Sequence, residues 1–262
     1  MTDLLKELPE CPAPIFDSHA HYDDDCFDQF RDTLFSQLPK NNVGGIITCG
    51  CDGESSAKAL ALAEKYDYIY AAVGIHPGNI QKNTPISEIE SLAKNKKCVA
   101  IGEIGLDYYW DKDNKEAQKQ VFENQLILAG KLSLPVIVHD REAHSDTLEL
   151  LKKHHPKGVV HCFSGSEEMA AEILKLGMYI GIGGVITFKN AKKLPDVVKM
   201  LPLDRFVLET DAPYLTPVPY RSKINNSAMI YFTAEKIAEI RGSDTASVLN
   251  AAYQNTVKLF NL

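Results

Sequence analysis

Pro14-Ile15-Phe16-Asp17-Ser18-His19-Ala20-His21 reads as a short apolar run that breaks into a His-x-His pair. In an extended chain alternate side chains share a face, so His19 and His21 point the same way, one pleat apart. Two imidazoles on one face at the end of a short strand make half of a metal site. Alone, such a pair reads as well as surface or core residues. Segments of the same kind recur, however. Short β-branched or Gly-rich runs at 15–19, 45–49, 69–74, 99–103, 136–139, 158–161, 179–183 and 206–209 are each followed by a longer stretch. Most of the eight are apolar on both faces, as parallel strands covered by helices are. The helical patterns lie at 54–65, 115–132, 167–176, 228–241 and 244–260, with Ser166 as a cap and Gly177 and Gly242 as stops. Strand and helix alternating eight times in 262 residues predicts an α/β fold, a single-domain (β/α)8 TIM barrel over 1–262 with 1–13 as an N-terminal extension. An open doubly wound sheet is the alternative. It would be favoured by a Gly-x-Gly-x-x-Gly turn after the first strand, and that turn is absent.

Hydrophobic residues make up 45% and charged residues 24%, enough apolar surface for a full core. The formal charge is −7, so the chain does not attract a polyanion by bulk electrostatics. A nucleic-acid substrate would have to be held locally, by metal ions and a few Lys and Arg residues. Residues 1–14 lack the basic start and apolar stretch of a signal peptide, and no apolar run reaches membrane-spanning length. Cys11, Cys26, Cys49, Cys51, Cys98 and Cys162 are scattered rather than framed, which predicts reduced thiols in the cytoplasm. Cys49-Gly50-Cys51 has no second Cys pair to complete a metal site and reads as a strand-end packing feature.

In a barrel of this kind the active site lies at the carboxyl ends of the strands. Strand one ends in His19 and His21, strand three in His76, strand four in Glu103, strand five in His139, strand six in His161, and strand eight in Glu209 and Asp211. The strand interiors are apolar and their ends carry imidazoles and carboxylates. Two-metal hydrolysis needs such a set, with several N and O ligands from different strands and a carboxylate shared by both ions. Glu103 suits the bridge, having one oxygen for each ion. His19, His21 and Asp211 fall to the first ion, and His139 and His161 to the second. A water held between two such ions is acidic enough to act as nucleophile, with Asp211 as general base.

Five stretches, Asp17-x-His19-x-His21, Gly102-Glu103-Ile104-Gly105-Leu106-Asp107-Tyr108, Pro135-Val136-Ile137-Val138-His139-Asp140-Arg141-Glu142-Ala143, His161-Cys162-Phe163-Ser164-Gly165 and Leu208-Glu209-Thr210-Asp211-Ala212-Pro213-Tyr214, resemble the TatD family of metal-dependent deoxyribonucleases. The resemblance runs in order from Ile15 to the last helix. It implies a TIM barrel of the metallo-dependent hydrolase kind that hydrolyses DNA phosphodiester bonds, commonly as an exonuclease, with two divalent ions (Mg, Mn or Zn). The family's six ligand positions fall on His19, His21, Glu103, His139, His161 and Asp211. One stretch departs. Where the family usually has Arg-Gly-Lys-x-Asn-Glu-Pro, this chain reads Arg221-Ser222-Lys223-Ile224-Asn225-Asn226-Ser227. The missing Gly, Glu and Pro would have eased a turn and started the next helix, so the loop is expected to sit differently.

Around this set the residues carry two readings each. His76 is a phosphate contact or a loop cap. Asp17 and Glu209 are expected to face inward as partners of a ligand or as satisfied structural carboxylates. Arg141 is a phosphate clamp or half of a loop salt bridge. Arg221 and Lys223 are expected on the substrate backbone. Tyr108, Tyr109 and Trp110 stack bases or merely pack, and His144, His154 and His155 read as solvated surface. The expected substrate is DNA, with no membrane and no obligate protein partner. The competing enzyme is a hydrolase of a carbonyl substrate (amide, lactone or aminoacyl-tRNA ester) on the same barrel. Binuclear relatives of that branch often bridge their metals with a carboxylated Lys on strand four, where this chain has Glu103. A non-catalytic binding barrel would be expected to have lost ligands, and none is missing.

Overall fold

All eight expected strands form, and each pairs in parallel with the next in sequence. They are β1 (Ile15–Ala20), β2 (Val43–Cys49), β3 (Ile69–Val73), β4 (Cys98–Asp107), β5 (Val136–Arg141), β6 (Gly158–Val160), β7 (Tyr179–Ile182) and β8 (Phe206–Leu208). The computed structural model describes Leu5 and residues 8–262; the rest of the expected 1–13 extension lies outside the described residues. Helices α1 (Arg31–Gln37), α2 (Gly53–Lys65), α3 (Ile86–Leu92), α4 (Lys115–Leu132), α5 (His144–His154), α6 (Glu167–Lys175) and α7 (Leu194–Met200) fill the crossovers, and α8 (Ile230–Arg241) and α9 (Thr245–Phe260) follow β8. This is a (β/α)8 TIM barrel. Sequence caps act as expected: the Ser166 hydroxyl accepts from Met169 N, and the Asp244 carboxylate accepts from Ser247 N. The departing loop also opens a helix. Asn226 accepts from Ala228 N and caps a 3-10 turn, Ser227–Met229, that leads into α8.

One small cluster fills the barrel interior and takes a residue from every strand: Phe16, Ile47, Ala72, Ala100, Ile137, Val159, Tyr179 and Val207. Leu259 and Phe260, at the end of α9, join that cluster and plug the end opposite the active-site mouth. From this layer the strands run upward, and parity decides which later side chains face the mouth. His139 and His161 stand two residues beyond Ile137 and Val159, so simple alternation carries them inward. His19 and Glu103 stand three beyond Phe16 and Ala100, an odd number. In both strands the ladder slips by one residue: Asp17 and Ala20 face Ile46 and Thr48, while Ile101 and Ile104 face Val136 and Val138. Each slip is a bulge that turns the next side chain into the mouth.

The bulge in β1 also overturns one expectation. Asp17 does not face inward with His19. Its buried carboxylate accepts from His19 N at 3.3 Å, Thr210 N at 3.0 Å, the Thr210 hydroxyl at 2.6 Å and the Ser227 hydroxyl at 2.7 Å. Strands β1 and β8 share few backbone bonds, chiefly Asp211 N to His19 O at 3.0 Å and His21 N to Ala212 O at 2.7 Å. Side chains from β1 therefore carry the closing seam, with the Ser18 hydroxyl donating to Leu208 O at 3.0 Å.

Candidate metal centre

At the carboxyl ends of the strands the six expected ligand positions converge on one carboxylate. Glu103 turns its Oε2 toward the imidazoles of β1, 3.5 Å from His19 Nε2 and 3.4 Å from His21 Nε2. Asp211 Oδ1 completes this group, 3.6 and 3.4 Å from the same two nitrogens, which are themselves 3.1 Å apart. Oε1 of Glu103 faces the other way. It lies 2.8 Å from both His139 Nδ1 and His161 Nε2, which are 3.3 Å apart. The His76 Nε2 stands 3.6 Å from Oε1. Four donors at the corners of a tetrahedron, each about 2.0–2.1 Å from a zinc-sized ion, are separated by about 3.3–3.4 Å. The edges around Oε2 scatter about that value, so His19, His21, Asp211 and Glu103 fit one ion; on the Oε1 side His139 and His161 lie closer to the carboxylate, at hydrogen-bonding distance.

Their surroundings orient these donors. The His21 Nδ1 hydrogen-bonds to Cys49 O at 2.9 Å, which leaves Nε2 free as a donor to metal. His139 is held at Nε2 by Asp107 Oδ2 at 3.1 Å, which leaves Nδ1 toward Glu103. Asp211 adopts a left-handed backbone with φ of 57°, tolerated by Asp, and this turn aims its carboxylate back over His19. Burial opposes ionisation of Glu103, but the surrounding His161, His76 and His19 rings hold its carboxyl well below the usual range. Burial likewise opposes ionisation of Asp211, and His19 and His21 win. Both acids are therefore anionic, as the seat of a divalent cation requires.

Other expected residues are sorted by the structure. His76 accepts from Gly78 N through Nδ1 at 3.0 Å, so it is a loop cap, while its other nitrogen looks at Glu103. Glu209 lies inside the mouth, Oε1 accepting from Cys162 N, 3.6 Å from His161 Nδ1. Gly181 makes room for it, since a Cβ there would sit 2.5 Å from Glu209 Oε2. Arg221 donates to Thr216 O at 2.8 Å and lies over the Phe188 ring at 3.8 Å, so it is tied to its own loop. Lys223 is exposed and has no ion pair among the described residues. Arg141 is exposed at the end of β5 with its guanidinium over Tyr109, 4.3 Å from the ring centre; of its two readings, the loop salt bridge is absent among the described residues. Of the outlying histidines, His144 and His154 are half-buried rather than fully solvated, 2.8 Å from Asp140 and Glu123 respectively, and His155 is exposed.

One residue near the centre escaped the sequence reading, and a second, Cys51, stands closer to it than strand-end packing implies. Asp107 lies in the quoted Gly102–Tyr108 motif, but β4 was expected to stop at Glu103 and so gave it no place at the mouth. Cys51 Sγ is 3.8 Å from His21 Nδ1 and shares a potential ligand group with His21 and Glu103. It lies two residues past the end of β2, the strand beside β1.

A TIM barrel whose mouth gathers four histidines and an aspartate around one glutamate carboxylate has the make-up of a metal-dependent hydrolase. More narrowly, the chain belongs to the TatD related DNase family, which matches residues 16–261. It is 40% identical over 253 residues to the uncharacterized metal-dependent hydrolase YabD of Bacillus subtilis (strain 168), covering 95% of this chain and 99% of that one. The 3'-5' ssDNA/RNA exonuclease TatD of Erwinia tasmaniensis is 32% identical over 259 residues, covering 95% of this chain and all of the relative (100%). Among solved structures, the TatD homolog YjjV of Escherichia coli K12 superposes with a TM-score of 0.89 at 35% identity, covering 95% of this chain and 98% of the other.

Proposed function

We propose that this protein is a divalent-metal-dependent deoxyribonuclease that removes nucleotides from a DNA strand end by hydrolysing phosphodiester bonds. The observation that carries the reading is the division of Glu103, one oxygen toward His19, His21 and Asp211 and the other toward His139 and His161. The name of the Erwinia relative supports a nucleic-acid substrate. His19, His21 and Asp211 would hold the first ion, His139 and His161 the second, and Glu103 both. Mixed N and O donors suit Zn or Mn, with Mg as the oxygen-preferring alternative. Bound there, the ions supply Lewis acidity to water and to phosphoryl oxygens.

The chain's own groups do the rest. Glu103 would offset part of the ions' charge, with one carboxylate oxygen turned to each group of donors. Asp211, with its side chain 19% exposed, borders the mouth and accepts the proton of the attacking water. His76 presents Nε2 on the second ion's side, toward an incoming phosphate. Arg141 on one rim, with Arg221 and Lys223 on the β8 rim opposite, contacts the DNA backbone, which accounts for binding by a chain of net charge −7. We place the enzyme in the cytoplasm, acting without an obligate protein partner; all six cysteines are free. No helix among the described residues is long and apolar enough to cross a membrane.

Protein purified without added metal, analysed for metal and then chelated, is expected to lose release of mononucleotides from single-stranded DNA and to regain it with Mn, Zn or Mg. Absence of DNA cleavage with every ion, beside brisk turnover of chromogenic esters, would replace this reading with carbonyl hydrolysis. Asp107→Asn is expected to weaken binding of the second ion by about 10–100-fold, because His139 loses the anion that orients it. Metal titration monitored by calorimetry reads this directly; unchanged affinity would show that the His139–Asp107 contact is incidental.

A further inference from the structure

Past Glu103, β4 continues to Asp107, in register with Arg141 of β5, and Tyr108 N donates to Arg141 O at 2.9 Å. The turn that follows divides its aromatics. Tyr108 goes inward, 7% exposed, with its hydroxyl donating to Asp146 at 2.7 Å. Tyr109 and Trp110 go outward, 49% and 74% exposed, with their rings 4.9 Å apart and nearly perpendicular. The Arg141 guanidinium lies 4.3 Å from the Tyr109 centroid and 5.7 Å from that of Trp110. Among the described residues the Arg141 side chain has no hydrogen-bond acceptor, so its donors remain available. Asp107 ties this rim to the metal centre. Its Oδ1 accepts from Tyr109 N and Trp110 N, both at 2.9 Å, while Oδ2 holds His139. One carboxylate thus sets the position of the aromatic pair relative to a ligand of the second ion.

From this linkage we propose that Tyr109, Trp110 and Arg141 form a nucleobase-stacking subsite beside the second ion, taking an unpaired base of the strand whose phosphate lies at the mouth. The inference rests on the nuclease reading above. Two exposed aromatic faces bind a base without reading its identity, and a guanidinium with free donors meets the adjoining phosphate. A base held in a duplex has its faces covered by its neighbours, so the subsite favours single strands.

Trp110 is the sole tryptophan, so intrinsic fluorescence reports on the subsite itself. The full chain, as purified with its metal, is titrated with a short phosphorothioate-linked oligodeoxynucleotide that resists hydrolysis, and with an abasic oligomer of equal length. Saturable quenching by the first and binding weaker on the order of tenfold for the second are expected. Tyr109→Ala and Trp110→Ala should each raise Kd for a labelled oligonucleotide on the order of tenfold, measured by polarisation, with metal content unchanged. The same variants should raise KM for cleavable DNA and leave cleavage of the abasic oligomer alone. Equal quenching by both oligomers, or a Trp110→Ala Kd within twofold of the parent, would overturn the subsite. Cleavage with a KM indifferent to Trp110 would remove the subsite and leave the nuclease; stacking without cleavage by any metal would do the reverse.

Discussion

Glu103→Ala is expected to reduce turnover to background and to lower the occupancy of both ions together. Loss of a group that only orients a ligand costs about 10–100-fold in affinity or activity. Glu103 touches the donors of both clusters directly, so its removal should exceed that range. The electrostatics argue the same way. Glu103 is buried with imidazoles on every side, and it supplies the negative charge that makes room for cations at both positions. Without it, the His139 and His161 side retains no carboxylate among the expected ligands, whereas the other side keeps Asp211. The second ion should therefore be lost first, and the first retained weakly. Glu103→Gln separates charge from volume, since it preserves the shape of the mouth but not the anion. Kinetics on single-stranded DNA, with elemental analysis of each variant, read both effects. Normal turnover in Glu103→Ala would end the bridging assignment. Loss of one ion with full retention of the other would make Glu103 an ordinary terminal ligand.

The barrel was legible because its strands are nearly all apolar and its helices carry their own start and stop residues. Strands β5 and β6 show why the centre was legible too: His139 and His161 lie two residues past interior side chains, so alternation alone brings them to the mouth. His19 and Glu103 reach the mouth for a different reason, since residue type at a strand end pointed to them while their orientation depends on bulges. A bulge is set by how two strands pair, and pairing is a property of the neighbour as much as of the strand. The same ignorance misplaced Asp17 and ended β4 early. With β4 cut at Glu103, Asp107 had no partner and the aromatic turn had no anchor. The alternative reading of Arg141 as half of a salt bridge falls because its partner is a ring rather than an acid, and a sequence does not show which aromatics of Tyr108-Tyr109-Trp110 turn outward.

The misplaced Asp17 leads to the largest expected effect on stability. Asp17→Ala would strip the acceptor from four buried donors at once: His19 N, Thr210 N and the hydroxyls of Thr210 and Ser227. A buried donor left unsatisfied costs about 1–3 kcal/mol. The hydroxyls can rotate toward other acceptors, Thr210 toward backbone oxygens and Ser227 toward Tyr22 Oη at 2.8 Å, whereas the two backbone N–H groups cannot. A loss of about 3–5 kcal/mol is the expected balance, a fall of roughly 6–15 °C in Tm for a domain of this size. Activity should fall with it, because the carboxylate binds Thr210, the residue before Asp211, and the backbone of His19, and so steadies two of the proposed metal ligands. Asp17→Asn is the informative partner. Its amide oxygen still accepts from the two backbone groups, and its NH2 can donate to hydroxyls that turn to receive it, so most of the stability should return. Ser18→Ala removes one seam bond, to Leu208 O, and should cost about 1 kcal/mol. Thermal unfolding of the three variants at constant metal concentration orders them Asp17→Ala, then Ser18→Ala and Asp17→Asn close to the parent. An Asp17→Ala protein that melts within about 2 °C of the parent would show that the backbone bonds between His19, His21, Asp211 and Ala212 hold the barrel shut on their own.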